Sequence, residues 1–235
     1  MKKVFTYLMI LVALLTASCS HRAGSGNVLT EIRKVDDFNG IVMNGDMSLS
    51  IAQSNKFEVK VTADDNILNL VQVAVKNGVL FVECRRQPEI SDITVSVSMP
   101  DLKTLETQGR VIVSVKEGFA VKDLEIRLNG SGNMDCPEIK SDGAIKILNR
   151  GSNNINISGS AKMFSCVTRD AGNIFADKLE AGAVVAKVAG SGSAFVKTDG
   201  NLSVIVAGSG SVVYSGKPSM ISKYVTGTGT LSQRK

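Results

Sequence analysis

The chain has 235 residues and a formal charge of +5, with 43% hydrophobic and 21% charged residues, 22 glycines, four cysteines, one histidine and no tryptophan. That length is ample for a hydrophobic core, and the ordinary apolar and charged fractions exclude wholesale disorder. Glycine without a three-residue period excludes collagen, and four cysteines in so long a chain exclude a small disulfide scaffold. A single histidine removes most histidine-based catalysis and most zinc sites.

The chain opens with Lys2 and Lys3, an apolar run from Val4 to Leu15, and the small residues Thr16, Ala17 and Ser18 before Cys19. This is the build of a secretory signal. Its apolar run is shorter than the roughly 20 residues that span a bilayer as a helix. A cysteine directly after the small residues makes residues 1–18 resemble a bacterial lipoprotein signal, cleaved before Cys19, whose thiol and new amine are then acylated. Thr16 stands where leucine is commonest in that class. The alternative is an ordinary secretory signal in which Cys19 is incidental. Acyl chains at about 0.8 kcal/mol per buried methylene give a stable membrane anchor.

Residues 19–27 read as a flexible tether. The only histidine, His21, lies there and is not taken as a ligand or a catalytic group. No acidic residue follows Cys19 directly, which favours a periplasm-facing protein on the outer membrane, with surface exposure as the alternative. Without residues 1–18, Lys+Arg falls from 27 to 25 against 22 Asp+Glu, a charge of +3. That excess is small, dispersed and free of interleaved aromatics, so no nucleic-acid partner is expected.

Residues 28–126 read as an antiparallel β-rich part. Phe57-Glu58-Val59-Lys60-Val61-Thr62 and Ile93-Thr94-Val95-Ser96-Val97-Ser98 alternate cleanly. Asn77-Gly78 between two apolar runs is a hairpin signal. Asp64 to Leu70 predicts a helical turn capped by Asp64 or Asp65. Pro88 and Pro100 mark strand ends. This part is expected to run on into the glycine-rich second half of the chain and to cap it.

Residues 127–235 hold 15 of the 22 glycines, and these recur. Gly130-Ser131-Gly132, Gly151-Ser152-Asn153, Asp170-Ala171-Gly172, Gly190-Ser191-Gly192, Gly208-Ser209-Gly210 and Gly227-Thr228-Gly229 succeed one another at steps of 21, 19, 20, 18 and 19 residues. After each turn comes a small polar residue (Asn133, Asn154, Asn173, Ser193, Ser211, Thr230). An apolar one comes next (Met134, Ile155, Ile174, Ala194, Val212, Leu231). Two residues further stand Cys136, Ile157, Ala176, Val196, Tyr214 and Gln233. Spacing by two is a strand with one buried face. A second set of turns at Gly143, Gly159, Gly182, Gly200 and Gly216 lies between the first.

Each repeat is therefore strand, corner, strand, corner. Stacked repeats make a single-stranded β-helix or β-roll solenoid. Glycine is expected at the corners for its positive φ, with Asp170 as the tolerated substitute. The Asn-to-Ser column is expected to form a side-chain hydrogen-bond ladder. The Gly-Ser-Gly turns are not phosphate loops, since no G-x-x-x-x-G-K-[ST] occurs.

Phe38-Asn39-Gly40-Ile41, Val59-Lys60-Val61-Thr62-Ala63-Asp64-Asp65, Asn77-Gly78-Val79-Leu80 and Met99-Pro100-Asp101-Leu102-Lys103-Thr104-Leu105 stand in that order. The repeats then close on Tyr214-Ser215-Gly216-Lys217-Pro218. Over roughly residues 35–232 the chain resembles a family of bacterial envelope proteins named for an autotransporter adhesin head, the head GIN domain. The resemblance implies a right-handed parallel β-helix or β-roll, no catalytic residues and no cofactor. It also implies a link to adhesion.

Three functions compete. A β-helix polysaccharide-active enzyme would repeat carboxylates in register, yet Asp135, Asp177 and Asp199 fall at different repeat positions. Arg150 and Arg169 read as solvated corners. A glycan-binding module would favour exposed Trp or Tyr; here Tyr214 sits in an inward register, and shallow recognition by Asn and Ser is the remaining route. The favoured reading is a non-enzymatic, lipid-anchored cell-envelope module for adhesion, binding or structure, with a protein or glycan partner, a membrane held through its lipid, and oligomers as an option. Cys84, Cys136 and Cys166 are expected as reduced thiols, and no metal site is expected.

Overall fold

The computed structural model describes residues 23–85 and 92–234. The signal over 1–18, Cys19, His21 and Pro88 lie outside the described residues. Among the described residues, no helix is long and apolar enough to cross a membrane.

The alternation read in the sequence becomes strands, and the chain is nearly all β, coiled into a solenoid of about 6 turns. The first half carries β1 (Val28–Arg33), β2 (Gly40–Asn44), β3 (Met47–Gln53), β4 (Glu58–Asp64), the single turn of helix α1 (Asp65–Leu68), β5 (Val71–Lys76), β6 (Val79–Cys84) and β7 (Thr94–Met99). Next come β8 (Thr104–Val115), β9 (Ala120–Val121), β10 (Leu124–Ser141), β11 (Ala144–Gly151), β12 (Asn154–Thr168) and β13 (Asn173–Val188). The last are β14 (Ser193–Lys197), β15 (Asn201–Gly208), β16 (Ser211–Ser215), β17 (Met220–Gly227) and β18 (Thr230–Gln233). The long strands β8, β10, β12 and β13 turn corners without breaking, so each serves more than one wall.

Two parallel walls result. One stacks β2, β8, β10, β11, β12, β13, β15 and β17. The other stacks β3, β8, β10, β12, β13, β14, β16 and β18. In-register stacking turns each repeat position into a column. On the second wall Leu49, Val113, Met134, Ile155, Ile174, Ala194, Val212 and Leu231 lie one above another. All are buried except the last, which is partly so. On the first wall Ile41, Leu105, Ile126, Ile147, Cys166, Ala186 and Val204 do the same. Removing these columns from water is the main source of stability.

The parallel coil reaches further upstream than the glycine period from residue 127 indicates. Gly45 and Gly109 form earlier corners beneath Gly130, with the Gly45 carbonyl against Gly109 and the Gly109 carbonyl against Gly130. The module β4–β7 is inserted between these two corners. It supplies the antiparallel part: β4 pairs with β1 and β7, and β5 with β6 across the Asn77-Gly78 hairpin. Meanwhile β6 and β7 pair in parallel with β2 and β3, which fastens the insertion to the first rung. Ile67 and Leu68 of α1 are buried there and close that end of the core.

Two local expectations are corrected. Asp64 stands at the N-cap of α1, but no side chain caps the helix. Its carboxylate accepts the Gly26 N–H at 2.8 Å instead. Consequently residues 23–27 are not a loose tether: Ser25 donates its hydroxyl to Asp65 at 2.6 Å, and Asn66 donates to the Ala23 carbonyl at 2.9 Å.

Candidate functional site

The glycines of the repeat stack rung on rung for two different physical reasons. Gly151 sits at φ +110 with the Gly130 carbonyl against its α-carbon, so both backbone conformation and space require glycine. Gly130, Gly132, Gly208 and Gly227 also have positive φ, whereas Gly172, Gly190, Gly192, Gly210 and Gly229 do not. At Gly192 and its like, a side chain would strike the backbone of the rung below, so close approach is the reason there. Asp170 does not have positive φ either, contrary to expectation. Its carboxylate earns its place by accepting the Gly151 N–H at 2.8 Å. The degraded corner Gly151-Ser152-Asn153 has its own logic. Asn153 turns inward and donates to Asn149 Oδ1 at 2.9 Å, while Asn149 returns a bond to the Asn153 carbonyl at 2.9 Å. Both side chains are buried, and the exchange satisfies them.

The ladder beside the corners forms over part of its column, from Asn154 to Ser211. Asn173 donates to Asn154 at 3.0 Å, the Ser193 N–H donates to Asn173 Oδ1 at 3.0 Å, and the Ser193 and Ser211 hydroxyls share a bond at 2.9 Å. Corners and ladder are thus structural, and they hold the outer wall in register.

What that outer wall presents is a groove of about 460 Å³, lined by Asp135, Cys136, Pro137, Asn156, Ile157, Ser158, Phe175, Asp177 and Lys178. It lies where the ladder slips on three successive rungs, between Cys136 and Ile139, between Asn156 and Ser158, and between Ala176 and Glu180. Bulges of this kind re-aim side chains. Glu138, in the first of them, adopts φ +49, one of only two non-glycine residues with positive φ among the described residues. Its N–H is held by the Ser158 hydroxyl at 3.0 Å.

One wall of the groove is aromatic. Phe175 stacks on Phe195 of the next rung with ring centroids 5.1 Å apart and planes 13° from parallel. Both point outward and both are half-buried. The opposite character comes from Asp135 and Asp177. They occupy different repeat positions, as the sequence indicates, yet the coil brings them to the same concavity. Asp177 is engaged by Arg234 at 3.2 Å. Beneath them Cys136 is buried, and burial first and Asp135 second push its thiol up to about 12. A thiol so placed is a packing group, not a nucleophile. Cys166 lies on the other wall, likewise pushed up to about 12 by burial, and Cys84 is half-buried. Among the described residues no cluster of three or more His, Cys, Asp or Glu side chains is arranged to hold a metal ion. Arg150 and Arg169 are exposed at their corners.

Sequence reasoning alone misses Phe175 and Phe195. The signal is present: both stand one residue after the inward Ile174 and Ala194, hence on the outward face of a strand, where an apolar ring is out of pattern.

The same fold recurs in solved structures. A crystal structure described as a "putative adhesin" from Bacteroides fragilis is 26% identical, with a TM-score of 0.83 over 91% of this chain and 100% of that one. A second "putative adhesin", from Parabacteroides distasonis, is 26% identical with a TM-score of 0.74, covering 92% and 100%. A "putative lipid binding protein" from Parabacteroides distasonis shares the fold at 23% identity and a TM-score of 0.67, over 91% and 99%. No curated protein matches the chain. The family model named "Putative auto-transporter adhesin, head GIN domain" matches residues 37–218, most of the solenoid and the whole β4–β7 insertion, and the chain belongs to that family.

Proposed function

We propose that this adhesin-like chain is a non-enzymatic binding module of the bacterial envelope, held to a membrane by lipid on Cys19 and facing its partner with the outer wall of the solenoid. The observation that carries the reading is the outward Phe175–Phe195 stack beside the groove of Asp135, Asn156, Asp177 and Lys178. Outward aromatic rings on a wall that needs none for its core are contact surface, and the adjacent amide, carboxylates and ammonium supply direction. The corner spacing fixes these groups on a rigid scaffold, so little ordering entropy is lost on binding. Membership of an adhesin family supports a surface or envelope setting.

A glycan is the second reading, favoured by one feature: the flat face of a stacked ring pair next to hydrogen-bonding groups suits a sugar ring. Phe175→Ala combined with Phe195→Ala tests both. The double variant keeps its fold and loses capture of bacterial or host cells by at least tenfold if the groove binds. Unchanged capture removes the groove from the reading, and a glycan array separates sugar from protein partners. Labelling with a palmitate analogue, lost in Cys19→Ala, tests the anchor; an unlabelled wild type refutes it.

A further inference from the structure

Exposed large apolar side chains are not scattered over this molecule. Among the described residues, seven of the ten lie on two strands, Val28, Leu29 and Ile32 on β1 and Met220, Ile221, Tyr224 and Val225 on β17. They lie at opposite ends of the stack, β1 ending the second wall beyond β7 and β4, and β17 ending the first wall beyond β15. Among the described residues, β1 is hydrogen-bonded only to β4, and β17 only to β15. Among the described residues each therefore offers an unpaired row of backbone donors and acceptors, the template on which another strand adds.

The ends differ in charge. Residues 28–101 carry eleven acidic and seven basic residues, whereas residues 200–235 carry four basic residues and no acidic one. Lys223 lies in the middle of β17, whereas on β1 Glu31 is paired with Arg33 at 2.9 Å, so the acidic excess of that end comes from the residues around β1. The ends differ in closure as well. At the N-terminal end the core is shut by Ile67 and Leu68, both buried. At the other end Ile221, Lys223 and Val225 continue the inward columns of Leu202, Val204 and Val206 and stand open. Two copies meeting by their β17 ends would set basic against basic. Meeting by unlike ends, they set basic against acidic and cover apolar surface on both sides.

We propose that copies of this chain associate head to tail, the β17 edge of one adding to the β1 edge of the next. Such a contact is heterologous and does not close on itself, so it builds a row of solenoids rather than a dimer. A row would present the outer groove many times along one fibre, and weak single contacts would gain by multiplicity. The association itself stands on the strand ends alone and does not depend on what the groove binds.

Cysteine cross-linking of the full chain in detergent tests it. In a Cys84→Ser background, Ile32→Cys and Tyr224→Cys are made singly and together, and folding is checked by circular dichroism. Under mild oxidation the double variant gives a ladder of dimer, trimer and longer species, and a mixture of the two single variants gives a heterodimer. Each single variant alone stays at the level of the background chain. Adding Lys223→Glu to the double variant weakens the ladder at least fivefold at about 0.01 M salt, where the Debye length is about 30 Å. A dimer from Tyr224→Cys alone, equal linking in every combination, no heterodimer in the mixture, or a ladder indifferent to Lys223→Glu would each overturn the proposal.

Discussion

The stacked rungs from Thr104 onward and the N-terminal insertion β4–β7 secure their residues by different means. In the rungs a side chain has the same neighbours as its counterpart one repeat away, so position in the period determines environment. Ile155 is buried between Met134 and Ile174 because that column is apolar along its length. In the insertion each contact is made once, between segments further apart than one repeat, as when Arg33 of β1 donates to the Leu68 carbonyl at 3.0 Å. Periodic packing tolerates local variety but depends on its column being continuous. The insertion depends on individual contacts.

The largest test of this difference concerns the columns. Ile155→Ala opens a cavity with rungs on both sides and is expected to cost about 4 kcal/mol of unfolding free energy. Leu231→Ala, in the same column at its open end, is expected to cost about 1 kcal/mol, because less of that side chain is buried. Guanidinium unfolding measures both. Equal losses would mean that the end rung is as tightly packed as the middle.

Glycines give the next contrast. Gly151→Ala combines a left-handed backbone with a clash against the Gly130 carbonyl, and a loss on the order of 3 kcal/mol is expected. Gly78, at φ +73 in the insertion's hairpin, has open space around it, and Gly78→Ala is expected to cost about 1 kcal/mol. The difference isolates the stacking clash from the conformational term, by the same unfolding measurement. At the degraded corner, Asn153→Ala leaves the buried Asn149 Oδ1 without its donor while the bond to the residue 153 carbonyl stays, an expected loss of about 2 kcal/mol that Asn149→Val with Asn153→Ala recovers in part.

These same features explain what is legible in the sequence. The columns and most corners show because a two-residue alternation nested in a period near 20 has few structural solutions. The side-chain ladder is legible from one polar position per repeat. Gly45 and Gly109 do not read as corners, since the inserted β4–β7 module parts them and destroys the period. Asp170 and Asn153 look like decay of a motif, yet each replaces a lost backbone feature by a specific side-chain bond, which depends on what lies on the adjacent rung. The groove is illegible for a related reason: Asp135 and Asp177 line it where the ladder slips on three successive rungs, and a slip alters register without marking the sequence. Phe175 and Phe195 are legible by face alone, but only once the inward register of Ile174 and Ala194 is set beside them.

The buried thiols sharpen the comparison by pH. Cys136 and Cys166 sit within columns, and burial pushes both from an ordinary 9.0 up to about 12. The folded chain therefore holds these protons where the unfolded chain releases them. Stability is unaffected below pH 9 and falls as pH rises toward 12, by about 1 kcal/mol per thiol per pH unit. Cys166→Ala is expected to flatten the alkaline limb of stability against pH. In the native chain at about pH 8, iodoacetamide is expected to label Cys84 ahead of both. A reactive Cys136 would show that the groove floor opens.

The smallest effect lies at the fastening of residues 23–27 onto α1, just ahead of β1. Asp65 accepts from the Ser25 hydroxyl and from Asn27 at 3.0 Å, and these bonds, Ser25's first, hold its carboxyl below the ordinary 3.8. A lowered carboxylate favours the fastened form above its ordinary value and loses that contribution as pH falls through the lowered one. Asp65→Asn removes the charge that both donors seek while leaving every column intact. The expected outcome is faster amide exchange at Ser25, Gly26 and Asn27 near neutral pH, with the guanidinium midpoint unmoved. A shifted midpoint would mean that the fastening closes the core rather than only holding the leader of β1. The insertion's single contacts would then matter to the stack as much as any column does.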